Sequence, residues 1–115
     1  MSKDAQNTLN QEQVDAMLAC EHQHTVFHGR IIKGLDFSER DLSNVFFAGL
    51  LIQDTSFRNS YCAKTSFYSS ILENVDFSGA DLRKTTFREA TINSCSFKNV
   101  QAPLWKRIYL WLKNS

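Results

Sequence analysis

The sequence is poor in the features that announce chemistry. Its three cysteines, Cys20, Cys62 and Cys95, form no CxxC pair and leave an odd thiol, which argues for a reducing compartment rather than a disulfide framework. No serine–histidine pairing, Walker motif or phosphate loop is present, so no catalytic residue is assigned. Charge of one sign is also missing: thirteen Lys and Arg against twelve Asp and Glu leave +1. Such a balance gives no reason to expect direct nucleic-acid binding. The longest apolar stretch, Leu104 to Leu112, is nine residues long and is interrupted by Lys106 and Arg107. A membrane-spanning helix needs about 20. The N-terminal residues lack the apolar core of a signal peptide. His22, His24 and His28 near Cys20 have metal-binding donor atoms, but they read more simply as a solvated linker. The expectation is therefore a single-domain, soluble, cytoplasmic protein that is not an enzyme and needs no cofactor or metal.

What the chain has instead is a period. Eight of its nine phenylalanines are Phe27, Phe37, Phe47, Phe57, Phe67, Phe77, Phe87 and Phe97, ten residues apart without a slip. Midway fall Ile32, Leu42, Ile52, Cys62, Leu72, Leu82 and Ile92, so an apolar side chain recurs every fifth residue from 27 to 97. Two residues earlier runs a series of small or β-branched residues, including Val45, Thr55, Ser60, Thr65, Ser70, Val75, Ala80, Thr85, Ala90 and Cys95. All four glycines (Gly29, Gly34, Gly49, Gly79) lie two residues after the apolar position, as do Asn44, Asn59, Asn74 and Asn99. Both residue types tolerate positive φ, so this slot reads as a corner. A period of five suits neither an α-helix nor a simple strand. It suits a chain that runs straight briefly, turns, and repeats.

Units such as Val75-Asp76-Phe77-Ser78-Gly79 and Ala80-Asp81-Leu82-Arg83-Lys84 resemble those of the pentapeptide repeat family, over residues 25–99. The resemblance implies an all-β, right-handed quadrilateral β-helix with twenty residues per coil. Fifteen repeats would make nearly four coils, stacked about 4.8 Å apart in a rod roughly 18 Å long. At a spacing of twenty the columns read Phe27/Phe47/Phe67/Phe87, Ile32/Ile52/Leu72/Ile92, Phe37/Phe57/Phe77/Phe97 and Leu42/Cys62/Leu82. Arg30 and Arg40 break the pattern by occupying the inward small position, where a charge should not be buried. The favoured reading is a splayed first coil whose arginines reach the open end; the alternative is a regular coil starting only near residue 42.

Solenoid ends need covers, and both termini look suited to this. Residues 1–24 read as an arm and capping helix, 25–100 as the solenoid, and 101–115 as an amphipathic helix. Asn10 and Gln13 resemble a capping box, with Leu9 and Val14 as a hydrophobic staple. A helix from Gln11 to Glu21 would put Val14, Met17 and Leu18 on one side. Pro103 suits the first turn of the second helix. There Leu104, Trp105, Ile108, Tyr109, Trp111 and Leu112 form the apolar face, Lys106 and Lys113 lie opposite, and Leu110 falls outside it. That face is expected to cap the last coil, with a homodimer contact as the functional alternative involving Trp105, Ile108, Tyr109, Leu110, Trp111 and Leu112. A membrane contact is not expected.

Outward positions form a second pattern. Ile31, Leu51, Ile71 and Thr91 precede one inward column, and Val26, Phe46, Ser66 and Thr86 precede the next, with Ala48 and Tyr68 also outward. The other sides show Asp36, Ser56, Asp76, Ser96, Asp41, Tyr61 and Asp81; these aspartates are expected to bond turn backbone. One side is greasy and the other polar, and contiguous exposed apolar surface marks interfaces. Ile31, Leu51, Ile71, Val26, Phe46 and Tyr68 are the candidate interaction surface, unless a terminal helix folds over them. A non-catalytic scaffold binding an unidentified protein is the functional expectation. The resemblance also implies, for some members, DNA mimicry against a type II topoisomerase such as DNA gyrase, which a near-neutral rod serves poorly.

Overall fold

Corners come at every fifth residue, and the backbone angles record them. In the computed structural model, which describes residues 8–19 and 29–114, φ is positive at each fifth residue from 29 to 99 save Lys84. Asn and Gly hold eight of these corners, but Glu39, Asp54, Lys64, Ser69, Glu89 and Ser94 adopt the same left-handed geometry. On three sides the corner is a four-residue turn closed by a backbone bond, as in Ser60 N–H to Phe57 O at 3.2 Å and Ala80 N–H to Phe77 O at 2.9 Å. Positive φ at the third residue of such a turn is what normally selects Gly or Asn. Gly79 has a further reason: a Cβ there would lie 2.1 Å from the Asn59 side-chain oxygen one coil below.

The fourth side carries regular strands. β1 (Thr8–Leu9), β2 (Ile31–Lys33), β3 (Leu51–Gln53), β4 (Ile71–Glu73) and β5 (Thr91–Asn93) form one parallel sheet in chain order. From β2 onward the register is an offset of twenty, Ile31 to Leu51 to Ile71 to Thr91. Single bridges continue it on the other sides: Asp36–Ser56–Asp76–Ser96, Asp41–Tyr61–Asp81–Gln101 and Phe46–Ser66–Thr86. β1 was not foreseen. Thr8 and Leu9 pair with Ile31 and Ile32, so buried Leu9 extends the Ile32 column as well as preceding the helix.

Inside, the phenylalanines pile in two files. Phe37, Phe57, Phe77 and Phe97 stack with centroids 4.9, 5.0 and 5.3 Å apart, and Phe47, Phe67 and Phe87 at 5.3 Å each. The files meet edge to face at 5.4–6.1 Å, a favoured arrangement for aromatic quadrupoles. Between them Ile32, Leu42, Ile52, Cys62, Leu72, Leu82 and Ile92 are sealed from solvent. The small column is less uniform than its sequence pattern, for Leu35 and Leu50 also fill it. Its hydroxyls bond to the preceding coil: Thr65 Oγ1 donates to Leu42 O and Thr85 Oγ1 to Cys62 O, both at 2.7 Å. Among the described residues no buried side-chain nitrogen or oxygen lacks a partner.

At the N-terminal end, α1 (Gln11–Leu18) carries the expected capping box: Gln13 N–H donates to Asn10 Oδ1 at 2.8 Å, and Asn10 N–H to Gln13 Oε1 at 2.9 Å. It stops short of Glu21, with Ala19 as its C-cap. Val14 is buried, and Met17 and Leu18 pack against the core. Gln11 ties α1 to the first coil by bonding both Asp36 N–H and Asp36 O. Arg40 reaches this end and pairs with Asp15 at 2.5 Å, half exposed. The twenty-residue register already holds at Ile31, so regular pairing does not wait for residue 42. The Val26, Phe27, Cys20, His22, His24 and His28 readings lie outside the described residues.

Candidate interaction surface

Helix α2 (Leu104–Lys113) sits on the far end with a side the sequence did not indicate turned inward. A helical wheel puts Lys106 among the solvated residues and Leu110 off the apolar face; the structure corrects both. Leu110 is fully buried and Lys106 is 6% exposed. The cause lies in the solenoid's last carbonyls. In the body, Leu42 O and Cys62 O each receive a threonine hydroxyl from the coil above, and Thr65 O receives Thr86 N–H. Leu82 O and Thr85 O occupy the same places with no coil to follow. The Lys106 ammonium supplies those donors, bonding to Leu82 O at 2.8 Å, Thr85 O at 2.7 Å and Arg83 O at 3.1 Å. Three N–H bonds match three acceptors. Burial lowers the Lys106 pKa, while nearby Asp81 raises it.

Three further hydrogen bonds, from two residues, fix the helix. Tyr109 OH donates to Phe87 O at 3.3 Å. Asn114 continues the strand side past β5, its amide accepting from Cys95 N–H at 2.9 Å and donating to Cys95 O at 2.8 Å. The consequence is that Leu104, Trp105, Ile108, Trp111 and Leu112 face solvent, with Trp105 66% and Trp111 73% exposed. The capping role falls to Lys106 and Leu110, with Tyr109 the one member of the apolar face that joins them. Grooves flank the helix. One of about 310 Å³ runs over Phe87 between Trp105, Tyr109 and Arg88; one of about 270 Å³ runs over Phe97 and Val100 beside Trp111 and Arg107.

The side stripe is a separate surface. Ile31, Leu51 and Ile71 stand in one ladder and line a shallow depression of about 240 Å³ with Leu50 and Gly49. Ile71, Phe46 and Tyr68 are exposed, whereas Ile31 and Leu51 are half-buried. The hydrogen bonds and ion pair that anchor α1 and α2 lie at the two ends of the solenoid.

Polar candidates have structural partners. Asp36, Asp41, Asp76 and Asp81 each accept the backbone N–H two residues on. Hydrogen bonds from Ser38 and Ser43 hold Asp36 and Asp41 below the ordinary carboxylate range, and those from Arg83 do so for Asp81. Cys62 and Cys95 are buried free thiols; burial pushes Cys62 up to about 11 and Cys95 in the same direction. The thiolate is the reactive form. Iodoacetamide at about pH 8 is therefore expected to leave Cys62 and Cys95 unlabelled until denaturant is added, read by peptide mass mapping. Rapid labelling of either in the folded protein would contradict their placement in the core. No group of three or more His, Cys, Asp or Glu suited to a metal occurs among the described residues, and no helix there is long and apolar enough to cross a membrane.

Comparison with known proteins agrees with this architecture. Residues 60–99 match the family described as Pentapeptide repeats, in eight copies. A pentapeptide repeat protein of the Arabidopsis thaliana thylakoid lumen, solved by crystallography, aligns with 70% of this chain and 74% of its own at 25% identity and a TM-score of 0.53. No curated protein sequence matches. In the repeat of residues 60–99 and in its fold, the chain is similar to pentapeptide repeat proteins.

Proposed function

We propose that this protein is a non-catalytic scaffold whose solenoid, a right-handed quadrilateral β-helix of nearly four coils, holds a protein-binding face at its C-terminal end. The observation that carries this reading is the orientation of α2: five large apolar side chains on ten residues stay in solvent while a lysine is buried beneath them. Burying a charge costs free energy that the carbonyls must offset, and fully covering a side chain such as Leu or Ile would contribute about 1.5–3 kcal/mol. The carbonyl bonds account for Lys106 beneath the helix, but a helix serving only as a lid has no use for five large apolar side chains on its solvent face. The protein occupant includes the case of a second copy, and the stripe through Phe46, Leu51, Tyr68 and Ile71 is a second face of the same scaffold. The buried thiols support a reducing, cytoplasmic setting. Gyrase-directed DNA mimicry is disfavoured because a phosphate mimic needs strong negative charge, and residues 101–115 carry Lys106, Arg107 and Lys113 with no acid.

The test compares two variants at solvent-facing positions, Ile108→Asp/Trp111→Asp and Phe46→Asp/Ile71→Asp, by sedimentation and affinity capture. The helix variant is expected to lose association, either with itself or with a captured protein, while its thermal unfolding stays close to wild type. Association unchanged in the helix variant would remove α2 from the functional reading.

A further inference from the structure

The surroundings of α2 are charged in one sense. Between residues 81 and 114 stand Arg83, Lys84, Arg88, Lys98, Lys106, Arg107 and Lys113 against only Asp81 and Glu89, a net of +5. The described residues before 81 (8–19 and 29–80) hold Arg30, Lys33, Arg40, Arg58 and Lys64 against Glu12, Asp15, Asp36, Glu39, Asp41, Asp54, Glu73 and Asp76, a net of −3. Lys106 is spent on backbone carbonyls and Arg83 on Asp81 at 2.7 Å. Lys84, Arg88, Lys98, Arg107 and Lys113 are exposed. The two grooves beside α2 repeat one design: a phenylalanine of the last coil as floor, a tryptophan as wall and an arginine at the rim, namely Phe87, Trp105 and Arg88 on one flank and Phe97, Trp111 and Arg107 on the other.

Resting on the interaction reading above, we propose that the C-terminal end binds an acidic polypeptide segment that places apolar side chains in these grooves and carboxylates on Arg88 and Arg107. Charge selects among occupants. A second copy docking through α2 would bring two +5 ends together, and like charges at an interface are strongly disfavoured. A nucleic acid would meet the arginines and stack on the tryptophans, but it has no aliphatic groups to cover Leu104, Ile108 and Leu112. A flat anionic bilayer would meet the crest of α2 and leave the grooves empty. An acidic, apolar segment satisfies crest, floor and rim together, and arginine pairs carboxylates in a two-pronged geometry.

Fluorescence anisotropy of the full chain would test this with a labelled peptide alternating Leu or Phe with Glu, beside its Gln isostere, phosphatidylserine-containing vesicles and oligo-dT. The Glu peptide is expected to bind at least about tenfold tighter than the isostere at roughly 0.1 M salt and to weaken as salt rises. Arg88→Glu/Arg107→Glu should remove that preference, and Trp105→Ala/Trp111→Ala should remove binding. Equal affinity for the Gln peptide, still lost in the tryptophan variant, would overturn the acidic partner and leave the interaction face standing. Preference for vesicles or oligo-dT, or self-association that shields α2, would overturn it in favour of that occupant. Binding to none of the probes by a chain that stays monomeric would count against both readings.

Discussion

Phe57→Ala is expected to cost about 3–5 kcal/mol, the range for emptying a phenylalanine site in a packed core. The ring lies between Phe37 and Phe77 at 4.9 and 5.0 Å and meets Phe47 and Phe67 by its edges at 5.5 and 5.4 Å. Neighbours cannot close the gap cheaply, because the ladders fix each coil to the next by backbone bonds such as Phe57 N–H to Asp76 O at 2.7 Å. A small domain has about 5–15 kcal/mol in total, so the loss would be a large share of its stability. Urea unfolding measures it. Phe97→Ala, at the last, half-buried place in the same file, should cost clearly less. Equal effects at both sites, or a Phe57→Ala loss under about 1 kcal/mol, would mean the files do not hold the coils together.

Lys106→Met should cost about 2–3 kcal/mol although it exchanges a charge for an apolar side chain of similar length. Leu82 O keeps the Thr85 N–H of its turn at 3.2 Å, but Thr85 O depends on the ammonium in place of a missing coil. Unmet buried acceptors carry the penalty. Hydrogen exchange gives the local signature: faster exchange through α2 and the last coil, with the Phe47–Phe67 region unchanged. A stabilised Lys106→Met protein would contradict the role assigned to the ammonium, since it would make the lysine a buried charge without compensation.

How much of this is legible without coordinates depends on what each residue answers to. The phenylalanine columns could be read directly, because every coil repeats the environment of the one below. The corners were legible through Gly and Asn, and the same phase placed Glu39, Lys64 and Glu89 there with no help from propensity. The turn bonds of Asp36, Asp41, Asp76 and Asp81 followed from local chemistry. Features that answer to an interruption of the repeat were not legible. β1 joins the sheet at an offset of twenty-three, Thr8 to Ile31, which no count of twenty discloses. Arg40 looked misplaced until α1 brought Asp15 to it. Lys106 was sorted by hydropathy onto a solvated face, whereas its position is set by carbonyls at the end of the rod. Free backbone acceptors outrank hydropathy in placing Lys106 under α2, and the exposed tryptophans lie on the face this leaves outward.

Those tryptophans allow a direct check, because the chain has two and both are on α2. Acrylamide quenching of intrinsic fluorescence, followed from concentrated to very dilute protein and then with the Glu peptide added, reads their surroundings without any label. Dilute protein alone should be quenched nearly as readily as free indole, with protection appearing only when a partner or a second copy is present. Strong protection in a dilute, demonstrably monomeric sample would mean instead that α2 lies with Trp105 and Trp111 against its own solenoid.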